Sequence, residues 1–313
     1  MTVAVVGASG LTGSAFCDIV ADKLPRLRLI GKSTVGTRVT LAGKTYVVEG
    51  EEALDKSCEY AMFFTDEQTS RRLVPKAALN GAVCIDNSCA FRMHRDVPLV
   101  VPKVNGGDVG RCKVIANPNC TAIQIAIALN CVKSLGIEEV TAVTFQAASG
   151  AGREGLADLR QKRGYGKLKA FAHPLCDNVI GQIGELLPDG TTTEEQKLRL
   201  ELPKILHEKQ LEVNSFCARV PVSVGHCAFV SVALSQSFDL DKVCDMFTGK
   251  DLLLYRQGLP QPLALRHTHV VGVGRLSKFR NRLNMFVVAD NLLTGAAYNA
   301  FEILRIAMEN NKC

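Results

Sequence analysis

The chain is predicted to be an α/β protein of two domains, a doubly wound sheet followed by an α+β domain on a mixed sheet. Three observations predict this. Its 313 residues exceed one comfortable core and suit two domains of roughly 100 to 200 residues each. Over the first 118 residues short apolar runs rich in β-branched residues alternate with helical stretches. Beyond a helix from about residue 120 the strand-like runs lengthen, as a mixed sheet requires.

TVAVVG, residues 2 to 7, has the composition of a strand buried on both faces. In the following GASGLTGSAFCDIVADKL, the side chains Leu11, Phe16, Ile19, Val20 and Leu24 share one helical stripe. Gly7, Gly10 and Gly13 lie between that strand and that helix. Their spacing is GxxGxxG rather than GxGxxG, but it meets the same need, a tight turn and close approach of a pyrophosphate to a helix N-terminus. Position gives the trio its weight and marks a Rossmann-type nucleotide-binding domain, with Ser9, Leu11 and Thr12 in the same loop as cofactor-binding residues. LRLIG, residues 27 to 31, supplies the second strand. An NAD site usually carries an acid about 20 residues beyond the glycines, to bind the ribose 2′-hydroxyl. No acid occurs between Asp22 and Glu49, whereas Lys32, Ser33, Thr34 and Arg38 suit a 2′-phosphate, so the expected cofactor is NADP.

YAMFFT (60 to 65), AVCIDN (82 to 87) and VIANP (114 to 118) complete the first sheet. VTAVTFQA (140 to 147), NSFCARVPV (214 to 222), CAFVSVALS (227 to 235), HVVGVGRL (269 to 276) and NMFVVAD (284 to 290) are the strands of the second. The closing LLTGAAYNAFEILRIAMEN (292 to 310) is helical and is expected to pack back on the first domain.

Composition excludes several function classes. No apolar stretch approaches the roughly 18 residues of a membrane span, and the chain opens on TVAVVGASG without a basic n-region. A soluble, cytoplasmic protein with no membrane partner is expected. The net charge of +6 is dispersed, and its densest run, RQKRGYGKLK at 160 to 169, has one Tyr and no nucleic-acid motif. That run reads as a solvated or subunit-facing loop, and no nucleic-acid partner is expected. The twelve cysteines are scattered and form no CxxC pair, so neither a disulfide framework nor a metal site is indicated. Most read as small buried hydrophobes.

Cys120 differs. In ANPNCTAIQIAIAL it stands at the mouth of a helix, where unsatisfied N–H groups and the dipole favour a thiolate. A thiolate nucleophile needs a proton partner and an anionic substrate needs a cation; ARVPVSVGHC provides His226 and Arg219. Seven residues apart on an extended segment they would face opposite ways, so irregularity at Pro221 and Gly225 must reconcile them.

GASGLTG, DNSCAFRMHRDVPLVVPKVN, ANPNCTA, FQAASGAGREGL, EEQKLRLELPKIL, ARVPVSVGH and VVADNLLTGAA occur in the order found in aspartate-semialdehyde dehydrogenases, which the chain resembles over essentially its whole length. The NPNCT and RVPV…GH segments are the specific ones. The resemblance implies that Cys120 is the nucleophile, that His226 is the acid/base, and that Gln146 orients the acyl intermediate. Asn119 would position groups around the thiohemiacetal oxygen. Arg219 would take the substrate α-carboxylate as a bidentate fork. Glu194, with Glu195 adjacent, would receive the amino group, while Lys197, Arg92 and Asn87 would contact phosphate. Ser149, Gly150 and Asn291 would join the cofactor site. The implied reaction is NADPH-dependent reduction of L-4-aspartyl phosphate to L-aspartate 4-semialdehyde through a cysteine thioester, with phosphate released. The pathway is the one from aspartate to threonine, methionine, isoleucine and lysine.

Residues 1–118 with 292–313 would form the NADP-binding domain, and 119–291 the catalytic and dimerisation domain of a homodimer or homotetramer. N-acetyl-glutamyl-phosphate reductase, whose cysteine typically sits in an NPGCY-like segment, is the alternative enzyme; an inactive NADP-binding regulatory homologue is the alternative class. Three positions depart from the family pattern: the loop GKSTVGTRVT lacks the usual Arg-Ser pair, Leu293 and Thr294 replace a basic pair, and Gly181 replaces a proline.

Overall fold

The computed structural model describes residues 1–161, 166–247, 249 and 252–311. Four residues of the basic run at 160 to 169 lie outside them, as does Cys313. The chain divides into two compact units, Met1–Pro118 with Ala296–Cys313, and Asn119–Gly295.

The first unit is built on seven strands, β1 (Val3–Val6), β2 (Leu27–Ile30), β3 (Arg38–Leu41), β4 (Lys44–Glu49), β5 (Tyr60–Phe63), β6 (Val83–Asp86) and β7 (Val114–Ala116). Their order is β3-β4-β2-β1-β5-β6-β7, parallel throughout except for the antiparallel edge strand β3. Helices α1 (Leu11–Val20), α2 (Glu67–Leu79) and the short α3 (Pro102–Asn105) connect them. Strand residues alternate between two cores. Val3, Val5, Tyr60 and Met62 pack with Phe16 and Val20 of α1 and with Ile303 and Leu304 of the closing helix, Tyr298–Asn310. Ala4, Val6, Ala61 and Phe63 pack on the other side with Leu73, Val74 and Ala77 of α2. Two buried faces on one parallel sheet are the doubly wound arrangement, and they explain why β1 carries no polar residue. The closing helix lies on this sheet, as its sequence pattern suggests. Strands β3 and β4 occupy the segment after β2, where the sequence predicts only a loop. They are mostly exposed and mark themselves by no apolar alternation.

The second unit holds α4 (Cys120–Val132), β8 (Ile137–Gln146), α5 (Gly152–Leu159), α6 (Thr193–Leu206), β9 (Glu212–Arg219), β10 (His226–Leu234), α7 (Leu240–Met246), β11 (Leu252–Tyr255), α8 (Pro262–Leu265), β12 (Val271–Phe279) and β13 (Arg282–Ala289). The sheet order is β11-β12-β13-β10-β8-β9, with β11–β12 and β8–β9 parallel and the rest antiparallel, a mixed sheet. Its inner face is covered by α4, which is buried from Thr121 to Leu129. Such a helix shows no amphipathic stripe because it is surrounded. Along β8 the residues Val140, Ala142, Thr144 and Gln146 are buried while their neighbours are not, so the opposite face is open. A π-helical turn, Leu293–Ala297, leads into the closing helix. Among the described residues no helix is long and apolar enough to cross a membrane, and the eleven described cysteines are all free.

Candidate active site

The site is assembled where the sheet of the second unit ends. Gln146 closes β8 and is register-paired with Arg219, which closes β9. On the other side Phe145 pairs with Cys227, so His226, at the start of β10, stands beside Gln146. Arg219, Gln146 and His226 therefore form a row across three adjacent strands on the inner face, each less than 7% exposed. Seven residues separate Arg219 from His226 in sequence, and the structure reconciles them by a chain reversal. Residues 220 to 225 leave one strand and enter the other, and Gly225 at φ +101 makes the last turn.

Cys120 is the first residue of α4 and is partly exposed. Asn119 caps that helix: its side-chain oxygen accepts the N–H groups of Thr121 at 2.9 Å and Ala122 at 3.2 Å. The other end of its amide donates to Glu194 Oε1 at 2.9 Å. Gln146 Nε2 donates to the same oxygen at 3.1 Å, and Lys197 Nζ donates to Glu194 Oε2 at 2.8 Å. Burial alone would raise the Glu194 pKa, yet the Lys197 ammonium and the three hydrogen bonds hold it down to about 2. Its neighbour Glu195 turns the other way. It closes a capping box with Thr192 and accepts the Cys217 N–H at 2.9 Å. Of the two adjacent acids, only Glu194 bonds Asn119, Gln146 and Lys197.

Arg219 is buried, which lowers its pKa, while the charges of Glu194 and Cys120 act in the opposite direction. One of its nitrogens donates to the Ala147 carbonyl at 2.8 Å, and its guanidinium lies 5.8 Å from the Phe171 ring centroid. Arg219 also lines a cavity of about 390 Å³ with Phe171, His173, Ile180, Gln182 and Ile183. His226 accepts the Ala147 N–H on Nδ1 at 3.0 Å. Gly150 closes the row: a Cβ there would come within 2.7 Å of the Arg219 guanidinium and 3.3 Å of the imidazole. Ser149 and Gly225 are tied together by Asn291, which accepts from Gly225 N–H at 2.9 Å and bonds the Ser149 hydroxyl at 3.0 Å.

Three contributors carry no signal in the sequence. Glu201, buried on α6, accepts the Asn119 N–H at 2.6 Å and so fixes the residue ahead of Cys120. Buried Asp158 accepts the N–H groups of Lys169, Ala170 and Phe171, which holds Phe171 beside Arg219. Gly295 is required by close approach, since a Cβ would lie 2.8 Å from that of Cys120. The departure at Gly181 is sterically free, with nothing within 4 Å of an added Cβ.

In the first unit, Gly7 has φ +83 and an added Cβ would strike the Phe64 carbonyl oxygen at 2.4 Å. A Cβ on Gly13 would strike the Gly7 oxygen at 2.2 Å. Gly10 is the N-cap of α1 and offers no side-chain cap, so nothing from its own side chain competes with a phosphate for the first N–H groups. Ser9 is exposed, and Leu11 and Thr12 are half-buried on the first turn. These residues fit a pyrophosphate. Lys32, Ser33 and Arg38 are exposed beyond β2, with Thr34 half-buried. Of the nearby acids, Glu49 is engaged by Arg28 at 2.6 Å and Glu51 by Arg72 at 2.5 Å. Arg92 is buried, donating to the carbonyls of Asn117 at 3.0 Å and Asn87 at 2.8 Å. The Asn87 side chain accepts from Asn117 at 2.5 Å.

Residues 2–111 match the family model described as semialdehyde dehydrogenase, NAD binding domain, and residues 131–294 match semialdehyde dehydrogenase, dimerisation domain. Aspartate-semialdehyde dehydrogenase of Aquifex aeolicus is 34% identical over 98% of both chains, and that of Bacillus subtilis 35% identical over 96% of this chain and 95% of the relative. The crystal structure of aspartate semialdehyde dehydrogenase II from Vibrio cholerae superposes with a TM-score of 0.94 at 32% identity and 98% coverage of each chain. A second structure of that enzyme, complexed with ASA, gives the same values. The chain belongs to the aspartate-semialdehyde dehydrogenase family.

Proposed function

We propose that the protein catalyses the reversible, NADPH-dependent reduction of L-4-aspartyl phosphate to L-aspartate 4-semialdehyde with release of phosphate, on the pathway from aspartate to threonine, methionine, isoleucine and lysine. The observation that carries this reading is the pairing of a buried Glu194, ionised down to about pH 2, with a buried Arg219 around the mouth of the Cys120 helix. An acid and a guanidinium suit the ammonium and α-carboxylate of a free amino acid, and the related Vibrio cholerae enzyme has a structure complexed with ASA.

The Cys120 thiolate attacks the acyl carbon, a C–S bond forms, and the C–O bond to phosphate breaks, leaving a thioester. Lys197 offers the departing phosphate a cation. Gln146 and Asn119, both bonded to Glu194, hold the acid and the helix mouth in one arrangement. Gly7, Gly10 and Gly13 would hold a nicotinamide nucleotide, whose chemistry would be to supply hydride. The thioester carbon is reduced, and expulsion of Cys120 gives the aldehyde. The test is phosphate-dependent NADP reduction with aspartate semialdehyde and N-acetylglutamate semialdehyde offered separately. Turnover of only the acetylated aldehyde would assign the chain to N-acetyl-glutamyl-phosphate reduction. No turnover by folded, NADP-binding protein would make it a regulatory homologue.

NADP is the cofactor this reading favours, because Lys32 and Arg38 are exposed beyond β2 and Glu49 and Glu51 are bound to arginines. Lys32→Ala is expected to raise KM for NADP about tenfold and leave KM for NAD unchanged, as loss of about 1.5 kcal/mol from a charge-assisted hydrogen bond dictates. An equal effect on both cofactors, in steady-state kinetics, would remove Lys32 from the 2′-phosphate site.

The open face of the second sheet suits a homodimer contact. Phe145, Phe216 and Phe229 are 37%, 68% and 40% exposed there, and register places Phe229 between Val143 and Phe286. This region falls in the segment matching a dimerisation domain. Phe216→Glu repeats a charge on both copies of a two-fold interface, at a cost of several kcal/mol. Light scattering is expected to show the variant at monomer mass where the wild type runs as a dimer or tetramer; an unchanged mass would exclude this face.

A further inference from the structure

A guanidinium that takes a carboxylate as a fork must have its plane fixed, yet every acceptor used to fix it removes a donor from the ligand. Arg219 is held with little such loss. One N–H goes to the Ala147 carbonyl at 2.8 Å, and the guanidinium carbon lies over the Phe171 ring, 5.8 Å from its centroid. The face of a phenyl ring attracts the cation through its quadrupole and consumes no N–H in doing so. Both side chains line the same cavity of about 390 Å³.

Phe171 belongs to no helix or strand, so local structure alone does not fix its ring. The ring is fixed from α5. Asp158, fully buried, accepts the N–H groups of Lys169 at 2.9 Å, Ala170 at 2.7 Å and Phe171 at 3.1 Å. Three charge-assisted bonds on one carboxylate hold the peptides that lead into the ring. Gly155, three residues earlier and so on the same face of α5, makes room for it: a Cβ there would stand 3.2 Å from Phe171 Cζ. Beyond the ring, Leu175 is fully buried and the Asn178 amide donates to the Pro174 carbonyl at 2.9 Å. The chain then returns to Arg219 itself, since the Ile180 N–H donates to the Arg219 carbonyl at 3.0 Å and the Arg219 N–H to the Ile180 carbonyl at 2.8 Å. Residues 169 to 180 are therefore a strap, pinned at one end to α5 and at the other to the peptide of the arginine against whose head the ring lies.

We propose that Phe171 is a positioning residue for substrate recognition: seated by Asp158 and Gly155, its ring sets the plane of the Arg219 guanidinium and thereby the affinity of the site for the α-carboxylate of its substrate. The inference rests on the role of Arg219 in the reduction proposed above. The ring makes and breaks no bond, so its contribution belongs to binding and not to the chemical step. A polar side chain in its place would take donors from the fork, and an aliphatic one would fill the space without attracting the cation.

The test sets Phe171→Leu, which keeps an apolar side chain without a π face, beside 3,5-difluorophenylalanine in place of Phe171, which keeps the ring's shape and weakens its negative face. In steady-state kinetics Phe171→Leu is expected to raise KM for aspartate semialdehyde about tenfold, and the fluorinated ring about threefold, with kcat and the KM values for phosphate and NADP unchanged. Asp158→Asn, which loses the charge behind the three bonds, is expected to shift the same KM in the same direction. A wild-type KM with the fluorinated ring would overturn the proposal, because filling space needs only shape. A loss in kcat, or in all three KM values together, would overturn it as well, since it would report a disturbed fold. NMR gives a readout that needs no turnover. In protein labelled with 15N-arginine, the Arg219 Nε–H signal, identified by its loss in Arg219→Lys, is expected to move in Phe171→Leu and to stay in place in Phe279→Leu, a change at an exposed residue of β12. An Arg219 signal unmoved by loss of the Phe171 ring would overturn the stack. If the wild type turns over neither aldehyde, the proposed reduction fails, while this signal still decides whether the ring holds the guanidinium.

Discussion

Cys120→Ser should lower turnover of aspartate semialdehyde by at least about 10³-fold and leave the fold and NADP binding intact. The expectation follows from chemistry and position together. A thiol ionises near pH 8.5 and a helix N-terminus lowers that value, whereas a serine hydroxyl has no comparable ionised population near neutral pH. Cys120 begins α4, and Asn119 takes the N–H groups of Thr121 and Ala122, so the capping that orders the helix does not depend on the thiol. Serine is smaller than cysteine and meets the close approach of Gly295 without a clash, so lost activity would not report lost structure. Circular dichroism and NADP titration serve as controls. Retention of a tenth or more of wild-type activity would exclude a thioester on Cys120. None of the most deeply buried cysteines could substitute: burial pushes the thiols of Cys17, Cys84, Cys217 and Cys227 up to about 12.

What the sequence made legible followed from burial. β1 and β5 are covered on both faces and read as continuous apolar runs, while α4 announced itself by the NPNCT turn ahead of an apolar stretch. Strands β3 and β4 escaped because their pairing compensates for side chains that stay largely in water, so no apolar period marks them, while β11, Leu252–Tyr255, is only four residues long and too short to show a period. The site divides in the same way. Residues whose chemistry is read from type, such as Cys120, Arg219 and His226, could be named in advance. Glu201 and Asp158 could not, since each acts by accepting backbone N–H groups from segments 82 and 11 to 13 residues away. Nothing local to an acid reveals which peptide it will meet. Choosing between Glu194 and Glu195 also needed the helix start: with Thr192 as N-cap, the third helical position falls on Glu195 and commits it to the capping box.

Glu194→Gln should then separate the two enzymes of this chemistry. The carboxylate is shared among Asn119, Gln146 and Lys197, and an amide in its place would keep an oxygen for the first two while turning an NH₂ toward the Lys197 ammonium. A free amino substrate loses the anion that balances its ammonium, and breaking such a buried charge pair costs about 2 to 5 kcal/mol. That cost is a fall of roughly 10² or more in kcat/KM for aspartate semialdehyde, carried mainly by KM. An acetylated substrate has no ammonium to lose. Equal losses on both aldehydes would mean that Glu194 only supports the fold; no loss on either would remove it from the site. Acid stability gives an independent check. The folded pKa of about 2 lies below the ordinary 4.5, so ionised Glu194 stabilises the fold fully above that ordinary value, and the contribution is lost as the pH falls toward 2. The Gln variant lacks this contribution, so its unfolding midpoint should fall less steeply than the wild type's across that window, whereas the two should stay parallel from pH 6 to 8. Equal slopes in the acid window would show that Glu194 is not held ionised, and would take away the charge on which recognition of the amino group depends.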